Sequence, residues 1–196
     1  MTKSRRKESI RQTNYHHSSF HGYQLAVIAQ VILAAIFSYT FILQTDHHFS
    51  ALSLTCEQWP PLHALRFLPL SAIPLLLGVI LVGNLRFLTP VRIDPTASPI
   101  GTNHTMDVFQ RYLQNTLEQF ILHFIAVTGL AAWDDCKHVL PLVMLFIIAR
   151  VIFLIGYLAT SDGRYRAVGF AMTVLPTVWA LGLCILYMSK FVWRGD

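Results

Sequence analysis

The chain has 196 residues, of which 54% are hydrophobic and only 13% carry a charged side chain. Soluble domains contain about 25% charged residues, so this chain lacks the polar surface that a water-soluble globule needs. The same numbers exclude disordered, collagen-like and coiled-coil proteins. Three scattered cysteines without a CxxC pair predict neither a disulfide scaffold nor a metal site. We therefore expect an all-α integral membrane protein.

The net charge of +5 is typical of membrane orientation rather than of nucleic acid binding. Five of the 15 Lys and Arg residues lie within residues 1–11, and most of the others flank apolar runs. Basic residues distributed in this way set the direction in which spans insert. No nucleic acid partner is predicted.

The N-terminal region divides into a basic segment, an apolar run and a polar loop. Residues 1–21 show no apolar period and predict a disordered, basic cytosolic tail, whose alternative role is binding of anionic lipid. Residues 22–45 contain no charged side chain and exceed the roughly 20 apolar residues that a membrane span needs. Their length predicts a retained signal anchor rather than a cleaved signal. Residues 46–64 are expected to form a lumenal loop.

Four further stretches have the length expected of membrane helices. They cover residues 67–85, 106–133, 139–161 and 167–189. Pro69 and Pro74 are expected to kink the first of these, and residues 191–196 follow the last as a C-terminal tail. The predicted fold class is therefore an integral membrane protein with five transmembrane helices.

Charge predicts the orientation of these spans. With the N-terminus in the cytosol, nine Lys and Arg residues lie on the cytosolic side and four on the other. This asymmetry predicts a cytosolic tail, a cytosolic loop at 87–105 and a lumenal C-terminus. The glycosylation triplet at Asn103 would require a lumenal 87–105 loop. We follow the charge asymmetry, because such triplets occur often by chance.

Polar stripes run along the third and fourth predicted helices. At about 100° per residue, the third carries one within about 80° of arc, consisting of Asp107, Arg111, Asn115 and Glu118. The fourth carries another, consisting of Arg150, Phe153, Tyr157 and Ser161. An unpaired ionisable group at mid-membrane costs about 2.5–3.5 kcal/mol. We therefore expect Glu118 to contact Arg150, either as a structural ion pair between two spans or as part of a functional site.

The stripe on the third helix outlines a polar cleft that opens to the cytosol. Basic residues are predicted at its mouth, namely Arg86, Arg92, Arg164 and Arg166. Arginine binds carboxylates bidentately, so an anionic ligand is expected. His123 lies about 120° around the helix from Arg111 and is predicted to be a core histidine bonded to a neighbour. Thr173 and Thr177 are expected to bond their own backbone.

Three elements resemble the MAPEG superfamily, the membrane-associated proteins in eicosanoid and glutathione metabolism. The third helix is similar to the family's R-x-x-x-N-x-x-E signature at Arg111, Asn115 and Glu118. The fourth resembles the segment that supplies an arginine, an aromatic and a Gly-Tyr pair to the glutathione site. The Arg164–Arg166 turn resembles the position of the thiol-activating arginine. The resemblance covers about residues 65–190 and implies a MAPEG-like four-helix domain preceded by one extra span.

The resemblance implies glutathione as cofactor and assigns roles to the residues. Those implied to bind substrate are Arg86, Arg111, Asn115, Glu118, Arg150, Phe153 and Tyr157. Arg164 or Arg166 would be catalytic by stabilising the thiolate, and the sequence leaves open which one. Phe153 departs from the family, in which Tyr or His is common, so one hydrogen bond is lost.

The extra span, together with Gly169-Phe170 and Pro176, resembles the mattrin-like branch. This implies a glutathione transferase, peroxidase or thiol-exchange (deglutathionylating) activity in membranes of the endoplasmic reticulum, Golgi or lysosome. The family fold further implies a homotrimer with a site between subunits. The alternative is a non-catalytic adaptor that binds a membrane lipid or a client membrane protein.

Overall fold

The computed structural model describes residues 2–51, 65–88, 104–133, 136–159 and 166–194. This part of the chain contains no β-strand, which confirms the all-α class. Its α-helices are α1 (Thr2–Ala51), α2 (Ile73–Leu88), α3 (His104–Ala132), α4 (Val139–Ala159) and α5 (Arg166–Arg194). A 3₁₀ helix, Leu65–Ala72, leads into α2, and a shorter one, Cys136–His138, leads into α4.

Four stretches of the described chain are long and apolar enough to cross a membrane. They are Gln24–Thr45, Leu65–Leu88, Val139–Ala159 and Arg166–Trp193, as expected of a multi-pass membrane protein. Helix α3 has 29 residues, enough for about 43 Å at the helical rise. Its polar side chains, Arg111, Asn115 and Glu118 among them, make it less apolar than the other four. Four of the five predicted spans thus meet both requirements.

Helix α1 begins at Thr2, whereas disorder was predicted for residues 1–21. Helix α1 continues to Ala51, which also moves the start of the predicted 46–64 loop. The remainder of that loop, 52–64, lies outside the described residues. Residues 2–21 contain neither proline nor glycine. A helix already nucleated in the apolar run can therefore extend through them at one hydrogen bond per added residue.

The prolines of the second span lie where helix geometry changes. Pro69 falls within the 3₁₀ helix Leu65–Ala72, and Pro74 falls in the first turn of α2. Proline is tolerated in a first turn because the backbone N–H there has no partner within the helix. The distortion predicted at these prolines therefore takes the form of a 3₁₀ segment.

Helix α4 forms the centre of the bundle and packs against α5, α3, α1 and the 3₁₀ helix. One apolar cluster joins Leu68 and Leu130 to Val143 of α4. A second joins Ala34 of α1 to Ala149 of α4. Helix α1 therefore lies against α4 and α5, while most of its other apolar side chains remain exposed, as lipid contact requires.

Candidate functional site

The side chain of Arg150 is completely buried near the middle of α4. Its Nη1 donates a hydrogen bond to Asn115 Oδ1 on α3 at 2.9 Å. Its Nη2 donates to the hydroxyl oxygen of Thr173 on α5. A buried charge is tolerated only when its polar atoms are bonded, so this guanidinium links α3, α4 and α5 at one depth.

Aromatic rings enclose the same guanidinium. Its Cζ lies 4.7 Å from the ring centroid of Phe153 and 5.8 Å from that of Phe146. The negative faces of such rings attract a cation, most strongly when water is excluded. The Tyr112 ring lies 6.2 Å from the Phe153 ring, and its hydroxyl donates to the Pro74 carbonyl at 3.2 Å. The aromatic contacts thereby extend the network to α2.

Helix α5 lies close enough to α4 for the Thr173 hydroxyl to reach Arg150. A Cβ added at Gly169 would lie 2.5 Å from the backbone nitrogen of Phe153, closer than real Cβ contacts. Glycine therefore allows the two backbones to meet at this point. Thr173 follows one turn later, and its hydroxyl also donates to the Phe170 carbonyl at 2.8 Å. The lone pairs of that oxygen remain available to accept from Arg150.

A continuous row of two arginines with two aromatic rings between them runs from Arg150 to the start of α5. The Phe153 and Tyr157 rings meet edge to face at 5.0 Å between centroids. The Cζ of Arg166 lies 4.5 Å from the centroid of Tyr157. We call Arg150, Phe153, Tyr157 and Arg166 the arginine–aromatic row. It brings three of the four predicted stripe residues of α4 together with one of the two arginines predicted to be catalytic; the fourth, Ser161, lies outside the described residues.

The predicted pair of Glu118 and Arg150 is not formed within the described chain. Glu118 is exposed and accepts a hydrogen bond from Gln114 Nε2 at 3.3 Å. Around the helix, Glu118 lies about 60° from Asn115, and Asn115 occupies the position that faces α4. The centre of the predicted α3 stripe therefore points away from the bundle, and only its Asn115 edge reaches Arg150.

The other predicted site residues lie apart from Arg150. Arg86, near the end of α2, and Arg111 on α3 are both exposed. Arg92 and Arg164 lie outside the described residues. The arrangement therefore has an enclosed part around Arg150 and an outward-facing part that includes Arg111 and Glu118.

Several residues of the site were missed or assigned a smaller role by sequence reasoning. Thr173 bonds its own backbone as expected, but it also accepts from Arg150. The inward face of α3 carries polar residues at spacings of four, three and four, a signal that was readable in the sequence. They are Tyr112, Thr116, Gln119 and His123, all buried. The predicted core position of His123 is confirmed, although its Nε2 has no hydrogen-bond partner among the described residues.

Comparison with known protein families gives a match. A sequence model of the MAPEG family matches residues 67–186, which is more than half of the chain. The matched range extends from the 3₁₀ helix before α2 into α5 and leaves out α1. Comparisons with curated proteins and with solved structures give no match. Within the described residues, no group of His, Cys, Asp and Glu side chains is arranged to hold a metal ion.

Proposed function

Because this chain belongs to the MAPEG family, we propose that it is a membrane-embedded, glutathione-dependent enzyme or an enzyme-like descendant of one. Family membership is consistent with a glutathione-related membrane protein. The observation that carries the proposal is the arginine–aromatic row, which leads from a buried guanidinium to a half-buried one, Arg166. Transferase, peroxidase and thiol-exchange chemistry all begin with an activated thiol. The mattrin-like features favour thiol exchange, that is, deglutathionylation.

Arg166 is the described residue best suited to hold the thiolate. A free thiol has a pKa of about 8.5, and an adjacent guanidinium lowers it. The thiolate is the reactive nucleophile, so this shift increases the reactive fraction at neutral pH. Arg166 begins α5 and rests on the Tyr157 ring, where a thiol can reach it from the end of the bundle. Arg164 remains the second candidate in our proposal.

The exposed side of α3 would bind the remainder of the tripeptide. Glutathione carries two carboxylates and one ammonium group. We assign the carboxylates to Arg111 and Arg86, whose guanidiniums form bidentate contacts with such groups, and the ammonium to Glu118. All three side chains are exposed in a single chain. Arg150 is completely covered, so we assign it to positioning Asn115 and Phe153.

A second copy of the chain would complete this site. Arg111, Gln114 and Glu118 are exposed on a helix that is long enough to span the membrane. A charged group facing lipid at mid-membrane costs about 2.5–3.5 kcal/mol, so another protein surface is expected to cover this face. The homotrimer typical of MAPEG proteins provides one. We place this assembly in endomembranes, with the N-terminus in the cytosol.

Calorimetry with reduced glutathione on protein in lipid nanodiscs tests the proposal. Wild-type protein should bind at millimolar concentrations or below, and Arg111→Ala should bind more weakly. Arg66→Ala is the matched control, because Arg66 is an exposed arginine on the 3₁₀ helix before α2 and lies outside the proposed site. If wild-type protein does not bind at millimolar ligand, the glutathione proposal is wrong.

One observation favours a non-catalytic adaptor as the second candidate. Phe153 offers no hydrogen-bonding group, is 3% exposed, and covers an arginine whose two terminal nitrogens already have partners within the chain. In this alternative the buried network is structural, and the outward side of α3 contacts a lipid or a client membrane protein. Absence of glutathione binding, together with unchanged folding, would support the adaptor.

A further inference from the structure

Four buried polar atoms in the interior of the bundle have no hydrogen-bond partner among the described residues. Thr116, Gln119 and His123 on α3 are 0%, 7% and 2% exposed. Among the described residues, Thr116 Oγ1, Gln119 Oε1 and His123 Nε2 have no hydrogen-bond partner, and neither does Arg150 Nε. Buried polar groups in native proteins are normally bonded to protein or to ordered water. Four unpaired polar atoms in one region therefore need an explanation.

The positions of the four residues form a track. Spacings of three and four residues place Thr116, Gln119 and His123 on one face of α3, with about 5–6 Å between successive Cβ atoms. The three extend over about 10 Å of helix axis. At one end, Asn115, the neighbour of Thr116, is bonded to Arg150. At the other, His123 stacks on the Phe146 ring at 4.4 Å.

The Phe146 ring is close to both ends, since it stacks on His123 and lies 5.8 Å from the Cζ of Arg150. Orphaned atoms are thus found along α3 and next to the residue that links the three helices. We call Thr116, Gln119, His123 and Arg150 the polar track.

The hydrogen-bonding capacity of the unpaired atoms indicates which kind of molecule can bind to them. Arg150 Nε–H only donates a hydrogen bond, whereas the Gln119 side-chain oxygen only accepts one. An anion would accept from Arg150 Nε–H but leave the Gln119 oxygen without a donor, whereas a metal cation would bind the Gln119 oxygen but be repelled by the Arg150 guanidinium. Water donates and accepts, and it is held stably where two to four polar groups surround it. We propose that water molecules bind along the polar track and form a hydrogen-bonded chain inside the bundle.

This bound water would give Arg150 the partner that its Nε–H lacks in the part of the chain that the structure describes. Since Nη1 and Nη2 are bonded to α3 and α5, a third bond at Nε fixes the plane of the guanidinium. The polar track is therefore a positioning device for Arg150, and it operates whether or not the protein binds glutathione.

X-ray radiolytic footprinting of the full chain in nanodiscs tests the proposal. Bound water generates hydroxyl radicals in place, so side chains beside it are oxidised although they are buried. Phe146 is 1% exposed and should be oxidised in wild-type protein several-fold more than Met172, an intrinsically reactive residue that is 2% exposed in the apolar cluster with Ala34. Oxidation of Phe146 at or below that of Met172 would overturn the proposal without any variant.

Variants identify the residues that hold the water. Thr116→Val with Gln119→Leu should reduce Phe146 oxidation several-fold, and Thr116→Ser, which keeps the hydroxyl, should leave it unchanged. Ser71→Ala is the control, because it deletes a buried hydroxyl that has its own partner, the Leu68 carbonyl at 2.6 Å. It should not change Phe146 oxidation. Equal oxidation in wild-type protein and in the folded double variant would show that water is not held by these side chains.

Discussion

Arg150 connects α3, α4 and α5 through two hydrogen bonds. Asn115 and Thr173 each accept one N–H of the guanidinium. Neither nitrogen can turn to bulk solvent, because the side chain is completely buried. Loss of one acceptor therefore leaves a charged donor unpaired, which costs more than the net value of the bond itself.

Thr173→Val should destabilise the protein by about 1–3 kcal/mol, because it leaves Arg150 Nη2 without an acceptor. Thr177→Val is the matched control. The hydroxyl of Thr177 donates only to the Thr173 carbonyl, at 2.8 Å, so its loss should cost less than about 1 kcal/mol. Chemical unfolding in detergent measures both. Equal losses for the two variants would show that the Arg150–Thr173 bond does not contribute specifically.

The proposed roles of Arg166 and Arg111 predict different effects on the pKa of the bound thiol and on the affinity for glutathione. Arg166→Ala should raise the pKa of the bound thiol toward its free value of about 8.5, because the stabilising guanidinium is gone. Arg111→Ala should instead raise the dissociation constant of glutathione and leave that pKa nearly unchanged. The pH dependence of thiolate absorbance and calorimetric titration separate the two effects.

Arg164→Ala completes the comparison at the thiol. If it raises the pKa of the bound thiol and Arg166→Ala does not, the thiolate is held by Arg164. If neither substitution moves the pKa in protein that binds glutathione, arginine activation of the thiol is wrong.

At the scale of elements, the distance between α4 and α5 depends on one glycine. Gly169→Ala would place a Cβ 2.5 Å from the Phe153 nitrogen and 2.7 Å from its Cα. Backbone atoms cannot move aside as a side chain does, so the helices must separate. We expect a loss of about 1–3 kcal/mol in stability and a weaker Arg150–Thr173 bond.

Gly182 on the same helix is the control for this substitution. A Cβ at Gly182 would meet nothing within 4 Å, and replacing an interior helical glycine by alanine stabilises a helix by up to about 1 kcal/mol. Gly182→Ala should therefore leave the melting temperature in detergent unchanged or raise it, whereas Gly169→Ala should lower it. A neutral Gly169→Ala would contradict the close approach.

At the scale of the whole molecule, the orientation of the spans remains a prediction from charge. The distribution of basic residues predicts that the N-terminus and residues 87–105 lie in the cytosol. Asn103 should therefore stay unglycosylated in cells, and wild-type protein should migrate with Asn103→Gln before and after glycosidase treatment. A glycosylation triplet appended beyond Asp196 should be modified. A glycosidase-sensitive mass at Asn103 would reverse the predicted orientation.

The amino-acid sequence determines the membrane class and most of the helix positions. In lipid, every backbone N–H and C=O needs a partner, so a long apolar run must form a helix. The family signature was also readable, since Arg111, Asn115 and Glu118 keep fixed spacings on one helix. Helix α1 begins at Thr2 although residues 1–21 were predicted to be disordered, because polar composition does not prevent a helix from extending beyond a membrane span.

The tertiary structure decided which polar groups meet. Helical periodicity relates side chains within one helix, but it does not fix how that helix is rotated against its neighbours. A rotation of about 60° separates Glu118 from Asn115, and that angle determined which of them bonds to Arg150. Thr173 joins the network because Gly169 lets α5 approach Phe153. Contacts of this kind depend on packing between helices, and no single helix sequence encodes them.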